Sequence, residues 1–305
     1  MPWSTADIPD QRGRLALVTG ANSGLGLETA RALAARGTTV LLACRSLERA
    51  EAARRQLLAE ASAIEPEALI PLPLDLADLA SVSAATDQVA ERWGRLDLLI
   101  NNAGVMAPPR TLSRQGHELQ LAVNHLGHFA LTQRLLPLLE GRTDARVVHV
   151  SSGAAYFGRI AWNDLHGERQ YDAWAAYGQS KLANVMTSLE LQRRLSAAGS
   201  TVQSLVAHPG LARTNLQPTS VASRGSRLEA LAYRLMDPLF QSAAMGALPQ
   251  LFAATAAEAD PQVFHGPGGL ANLKGHPAPC RPVPAAQDSV NRQRLWETSE
   301  ALCGI

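Results

Sequence analysis

Cysteine is scarce in this chain: 305 residues hold three, Cys44, Cys280 and Cys303, and no two stand in C-x-x-C spacing. That excludes a disulfide framework and a zinc knuckle, and fits free thiols in a reducing compartment. The eight histidines are scattered. His125 and His128 share a helical face, but no acidic or cysteine ligands cluster beside them, so no metal site is expected. The formal charge is nearly balanced at +1, and no basic stretch offers a surface for nucleic acid or an acidic membrane. No apolar run approaches the roughly 18 residues that a membrane-crossing helix needs. Residues 1–14 are polar and hold no apolar signal-peptide core, so neither leader nor anchor is expected and the reading is a cytoplasmic protein. Internal repeats and long linkers are missing too, which argues for one domain over residues 1–305.

What is present is an apolar fraction of 46%, enough in a chain of this length to bury a large core. Short apolar runs alternate with helical periodicity. Residues 14–19 (RLALVT) read as a buried strand, 24–36 as a helix ending at Gly37, 38–43 as a strand, 46–63 as a helix. Residues 69–74 read as a third strand whose Pro71 and Pro73 place it at a sheet edge. A helix over 78–93 and a strand over 96–100 follow. Beyond them the pattern predicts a long helix over 112–139 bent at Pro137, a strand over 146–150, a helix over 171–196 and a strand over 201–207. After a looser stretch, 215–246, come a helix over 250–258, a short strand over 263–270, and a proline-rich passage, 277–284, leading to a helix over 289–302. Such alternation implies right-handed βαβ units. The expected fold is α/β, a Rossmann-like doubly wound parallel sheet of about seven strands with helices on both faces. The cofactor half would run over about 13–150 and the catalytic and substrate half over about 151–305.

The stretch 175–184 (AAYGQSKLAN) carries the most telling pair. Tyr177 and Lys181 are four residues apart, so on a helix they share one face. Leu182, Val185, Met186 and Leu189 recur at helical spacing. A free phenol is a poor acid or base near neutrality. A lysine ammonium beside it favours the phenolate and brings its pKa toward working range. The pair can then give or take a proton at a carbonyl or alcohol oxygen. The alternative is an ordinary Tyr and Lys on an amphipathic surface, since Y-x-x-x-K alone is common.

Other junctions supply the missing parts. Between the first strand and helix stands TGANSGLG, with Gly20, Gly24 and Gly26. Glycines there let the backbone approach a pyrophosphate, and the helix N-terminus offers free N–H groups and a positive dipole end. The spacing is G-x-x-x-G-x-G rather than G-x-G-x-x-G, and a tight turn alone would also want glycine. The second strand ends at Cys44-Arg45. No acidic residue stands there to bind a ribose 2′-hydroxyl, and Arg45 suits a 2′-phosphate; the alternative is a solvated loop arginine. Asn101-Asn102-Ala103-Gly104 follows the fourth strand, where turn chemistry alone would also select Asn and Gly. Ser151-Ser152 follows the fifth.

Together these residues resemble the short-chain dehydrogenase/reductase family over about residues 13–210. TGANSGLG, NNAG, the strand-end serines, YGQSK and HPG stand in the family's order and at its spacings. LLACR, LAVNHLGHFALT, the insert between Ser152 and Tyr177, SKLAN and the ending RLWETSEALCGI are similar to the retinol-dehydrogenase-like branch. The resemblance implies roles. Tyr177 would be the general acid/base, and Lys181 would hold the nicotinamide ribose and lower the Tyr177 pKa. Ser152 would hydrogen-bond the substrate oxygen, and Asn124 would hold a water linking Lys181 to solvent. The glycine turn (Gly20, Asn22, Ser23, Gly24, Leu25, Gly26), Arg45, Asp75 with Leu76 near the adenine, Asn102, Ala103 and Gly104, and Pro209, Gly210 and Thr214 at the nicotinamide end would bind NADP(H).

The implied reaction is hydride transfer between NADP(H) and a carbonyl or alcohol, with Tyr177 and Ser152 polarising the oxygen. Residues 215–246 would cover the substrate. Leu216, Leu228, Leu231, Leu235, Met236, Leu239, Phe240 and Met245, with Tyr156, Phe157, Trp162 and Trp174, point to a bulky apolar small molecule. Reduction of a C=C or C=N bond is a second enzymatic reading, and a cofactor-binding sensor without turnover is a reading of another class. Faces of the helices over 112–139 and 171–196 suggest a homodimer or homotetramer, as family members often pair there.

Overall fold

Every residue of β1 (Leu15–Thr19) is buried, as a continuous apolar run must be when helices cover both faces of a sheet. The computed structural model describes residues 2–213 and 240–305. Its other strands are β2 (Thr39–Cys44), β3 (Leu69–Pro73), β4 (Leu98–Asn101), β5 (Arg146–Val150), β6 (Gln203–Ala207), β7 (Phe264–Pro267) and β8 (Pro277–Cys280). They form a single sheet in the order β3-β2-β1-β4-β5-β6-β7-β8. All neighbours pair in parallel except β7 and β8. The order turns back at β1 and β4, so a crevice opens at their carboxyl ends, where ligands bind in doubly wound sheets.

Helices α1 (Gly24–Ala34), α2 (Leu47–Glu60) and α6 (Ala243–Thr255) cover one face, with Leu33, Leu57 and Leu251 packed on Val18, Val40 and Ile100. Helix α3 (Leu79–Trp93), the long helix α4 (119–139) and α5 (Ala173–Ala197) cover the other, where Val89, Leu135 and Leu191 meet Leu17, Leu99 and Val147. The C-terminal helix α7 (Ser289–Cys303) lies outside α4 and α5. Its Trp296 stands edge-on to Phe129 at 4.9 Å and under the Arg194 guanidinium at 4.4 Å. The helix faces expected to meet a second copy are therefore partly covered by the chain's own C-terminal helix.

Three departures from the sequence reading have physical causes. The helix predicted over 112–139 starts at Leu119. Before it, Ser113 N–H bonds the His117 carbonyl at 2.7 Å around Gly116, whose φ of +82° no helix accommodates. Glu118 then caps the helix by accepting the N–H groups of Gln120 and Leu121. Helix α4 comprises Leu119–Leu121, a wide π-turn over Ala122–Leu126 and Gly127–Leu139. Its irregularity sits at Asn124 and not at Pro137, which falls in the last turn, two residues before the helix ends. Lastly, the proline-rich passage supplies an eighth strand among the described residues. An edge strand needs only half its ladder, so Pro277 and Pro279 are tolerated in β8 as Pro71 and Pro73 are in β3 at the opposite edge.

Candidate active site

The turn after β1 is built for a close approach. Gly20 and Gly24 have φ of +66° and +54°, the left-handed region that disfavours side chains. Gly26 lies so near the Gly20 carbonyl and the Asn102 amide that a Cβ would collide with both. A cleft of about 730 Å³ opens beyond this turn. Of the predicted residues, Gly20, Asn22, Ser23, Gly24, Leu25, Arg45, Asp75, Leu76, Asn102, Ala103 and Gly104 line it. Gly26 supports it from beneath. A glycine cradle under a helix N-terminus, with cations at the far rim, fits a dinucleotide with its phosphates.

The loop after β4 is braced against β1. Thr19 Oγ1 accepts the N–H groups of Asn102 and Ala103, both at 2.9 Å, and the Asn102 side chain donates to the Thr19 carbonyl at 2.8 Å. Gln250 of α6 donates to Asn102 Oδ1 at 3.2 Å. Asn102 thus shapes the wall through its own hydrogen bonds.

At the far rim Arg45 is exposed and Cys44 is buried. Burial pushes the Cys44 thiol up to about 11, against the opposing pull of Arg49. Arg49 and Glu48 line the same rim. The sequence reading missed Arg49, which stands in the first turn of α2, past the Ser46 cap that follows Arg45. Asp75 Oδ1 accepts the Ala77 N–H at 2.9 Å, which holds the loop after β3 against the cleft.

Tyr177, Lys181, Asn124 and Ser152 do not line this cleft; they form a largely buried inner end of the site, beyond Gly104. Asp172 caps α5 by accepting the Ala175 N–H at 2.7 Å, and residues 177–188 are all buried. Tyr177 and Lys181 are only 6% and 4% exposed, which rules out the surface alternative. Lys181 Nζ lies 5.9 Å from the Tyr177 ring centroid and donates to the Val150 carbonyl at 3.1 Å. Burial lowers its pKa to about 8, so it remains mainly protonated at neutrality. Gly104 joins the two ends: a Cβ there would sit 3.1 Å from Asn124 Oδ1 and 3.5 Å from Lys181 Nζ. Asn124 lies in the π-turn, a deviation that often marks functional positions. It holds the loop after β4 with Oδ1 accepting the Val105 N–H at 2.8 Å and Nδ2 donating to the Val105 carbonyl at 2.9 Å. Its Nδ2 also lies 2.9 Å from Ser180 Oγ.

The two serines divide their work. Ser151 is buried and donates to the Lys181 carbonyl at 2.7 Å. Ser152 is half-buried and caps the short helix Gly153–Tyr156 by accepting the Ala154 N–H at 3.2 Å. The chain then runs beside Gly178, which faces the Phe157 ring and Gly158. Trp174 stands edge-on to Tyr177 at 6.0 Å, and Phe157 is 58% exposed. Tyr156 and Trp162 do not join them. Tyr156 donates to the Arg281 carbonyl at 2.7 Å and packs near Phe264, and Trp162 lies under Arg294 at 4.1 Å. Both are committed to the core beneath β7 and α7.

Pro209 and Gly210 follow β6; the Pro209 carbonyl accepts from Gln241 at 2.8 Å and Gly210 adopts φ +64° against the Leu273 carbonyl. Neither lines the cleft. Thr214 and the pocket residues Leu216, Leu228, Leu231, Leu235, Met236 and Leu239 lie outside the described residues. Among the described residues no cluster of His, Cys, Asp or Glu is arranged to hold a metal, and no helix is long and apolar enough to cross a membrane.

The sequence model of the short chain dehydrogenase family matches residues 14–225. Human retinol dehydrogenase 13 is 39% identical over 311 residues, covering 99% of this chain and 87% of that protein. Bovine retinol dehydrogenase 12 is 38% identical over 297 residues, covering 96% and 87%. The crystal structure of an uncharacterised protein from Mycobacterium paratuberculosis superposes with a TM-score of 0.81 at 40% identity, covering 100% of this chain and 98% of that one.

Proposed function

The chain belongs to the short chain dehydrogenase family, in its retinol-dehydrogenase-like branch, and from that premise we propose an NADP(H)-dependent oxidoreductase acting on a carbonyl or alcohol of a bulky apolar molecule. Members of this family bind nicotinamide cofactors. The observation that carries the proposal is the buried Tyr177–Lys181 pair, one helical turn apart, joined through Gly104 to a cleft shaped for a dinucleotide.

The bound nicotinamide supplies or accepts the hydride. The chain's residues handle the oxygen. Tyr177 gives its hydroxyl proton to the oxygen in reduction and takes it back in oxidation. The Lys181 ammonium, held by the Val150 carbonyl, favours the phenolate that remains. Ser152 donates a second hydrogen bond to the same oxygen. Asn124 fixes the wall between Lys181 and the loop after β4. At the far rim Arg45 and Arg49 would hold the 2′-phosphate, with Cys44 at the end of β2 where a carboxylate would repel it and Glu48 as an acidic neighbour on that rim. Exposed Phe157 and Trp174, beside α5, support an apolar substrate. Pairing as a homodimer or homotetramer belongs to the same reading.

Cofactor oxidation measured over a panel of bulky and small aldehydes, ketones and enones, with Tyr177→Phe as the control, tests this. Fast turnover of a bulky aldehyde or ketone by the unmodified protein alone is expected. Turnover confined to enones, or equal turnover by the variant, would overturn the mechanism.

A further inference from the structure

His128 of α4 is fully buried and has no part in the mechanism above. Its two ring nitrogens bridge the two ends of the site. Nε2 lies 2.8 Å from Thr19 Oγ1, the hydroxyl that braces the loop after β4. Nδ1 lies 3.2 Å from the main-chain carbonyl of Asn124 in the π-turn.

Counting donors fixes the proton. The Thr19 oxygen has two lone pairs, and the N–H groups of Asn102 and Ala103 occupy both at 2.9 Å. Its own proton must therefore be given away. The Ile100 carbonyl lies at 3.3 Å and His128 Nε2 at 2.8 Å, so the imidazole is the better acceptor. Nε2 is then bare, and Nδ1–H donates to the Asn124 carbonyl. Burial pushes the ring's pKa down to about 3, which keeps it neutral and preserves this one arrangement of protons. A charged ring would place two protons against the Thr19 hydroxyl and the Asn124 carbonyl and reverse the first bond.

We propose that His128 is a positioning residue which, as the neutral Nδ1–H tautomer, sets the Asn124 carbonyl with one nitrogen and the cofactor-facing Asn102–Ala103 backbone with the other. The proposal rests on the catalytic reading of Tyr177, Lys181 and Asn124. It goes further by assigning separate duties to the two nitrogens.

Two substitutions separate them. An asparagine amide nitrogen falls where Nδ1 is, and a glutamine amide falls where Nε2 is. His128→Asn keeps the donor to Asn124 and loses the acceptor for Thr19. It is expected to weaken NADPH binding about tenfold, measured by titration without substrate, while kcat at saturating cofactor stays within about twofold. His128→Gln keeps the acceptor and loses the donor. It is expected to leave the NADPH Kd within about twofold and to lower kcat about tenfold. Imidazole nitrogen-15 spectra of the cofactor-free protein should show a histidine locked with Nδ1 protonated and Nε2 bare that persists in His276→Gln, since His276 Nδ1 also faces a carbonyl, that of Trp3 at 2.9 Å, and that signal should vanish in both His128 variants. An Nε2–H tautomer, or Kd and kcat shifted alike in both variants, overturns the proposal. The spectra and titrations need no turnover, so they judge His128 even if Tyr177→Phe stays active and the catalytic reading falls. Should neither variant fold, the spectra of the unmodified protein and of His276→Gln decide.

Discussion

The rim of the cleft and the buried site beyond Gly104 handle charge in opposite ways. At the rim, Arg45 just after β2 and Arg49 in the first turn of α2 stand in solvent. At the inner end, Lys181 is buried on α5 within reach of His128, and His125 and His149 lie buried in the same core, all three neutral. Solvent screens the rim cations, so their fields are weak and salt-dependent. Desolvation lowers the pKa of Lys181 and of these three histidines. Under the proposed function, charge would serve recognition where water reaches it and proton chemistry where water is excluded.

Acid is the most severe way to break this contrast. His125 and His128 are pushed down to about 3, and His149 and His208 to about 4, all by burial. The unfolded chain takes up protons near 6.5 that the folded chain refuses. The stability these groups contribute is therefore full above about 6.5 and is lost as pH falls toward 3–4. Each lowers the folding constant by up to about tenfold per pH unit in that window. Thermal scans should show a steep fall in Tm between pH 6.5 and 4.5; a flat Tm would mean that the inner end is wet.

Next in size is Tyr177→Phe, which removes one hydroxyl from the inner end and nothing from the rim. Turnover should fall by about 10² to 10⁴ while NADPH titrates as before. A variant with near-normal kcat would move the proton donor elsewhere.

At the rim the expected change is smaller and appears in cofactor choice. Arg45→Ala with Arg49→Ala should lower kcat/KM for NADPH about ten- to a hundredfold and leave NADH nearly unaffected. Cys44→Asp with Arg45→Ala should reverse the preference by adding repulsion. Salt should weaken the NADPH preference of the unmodified protein. Equal efficiency with both cofactors at low salt would show that the rim arginines point away.

The smallest effect is the alkaline limb. Burial lowers Lys181 to about 8, so its charge is present below that pH and lost above it. Reduction should be about half-maximal near pH 8 and decline beyond, and Lys181→Met should lack that limb. An unmodified enzyme with a constant rate to pH 10 would show that Lys181 is better solvated than its burial implies.

Much of this was legible in the chain. Buried runs such as LALVT and RVVHV became β1 and β5, and the prolines of the third strand marked an edge, because proline's missing donor matters only inside a ladder. TGANSGLG and YGQSK could be read because each is a local device, a turn and a helical spacing. Arg49 was missed because Arg45 lies before the Ser46 cap and Arg49 inside α2, so no helical spacing links them and only the folded turn brings both to the rim. The start of α4 was misread because 112–118 has helical composition but contains Gly116. Tyr156 and Trp162 were misread because an aromatic in an insert looks the same whether it lines a pocket or packs beneath a strand.

The sequence by itself determined the alternation of strands and helices, the glycine cradle, and the presence of one tyrosine and one lysine a turn apart. These follow from patterns within a few residues, where backbone sterics and helical geometry leave little choice. Only the tertiary structure decided that the middle of α5, 177–188, is buried all round, that a π-turn presents Asn124, and that His128 reaches from that turn to Thr19, 109 residues earlier in the chain. Burial and hydrogen-bond partners depend on what other elements bring alongside, and those determine which protons move.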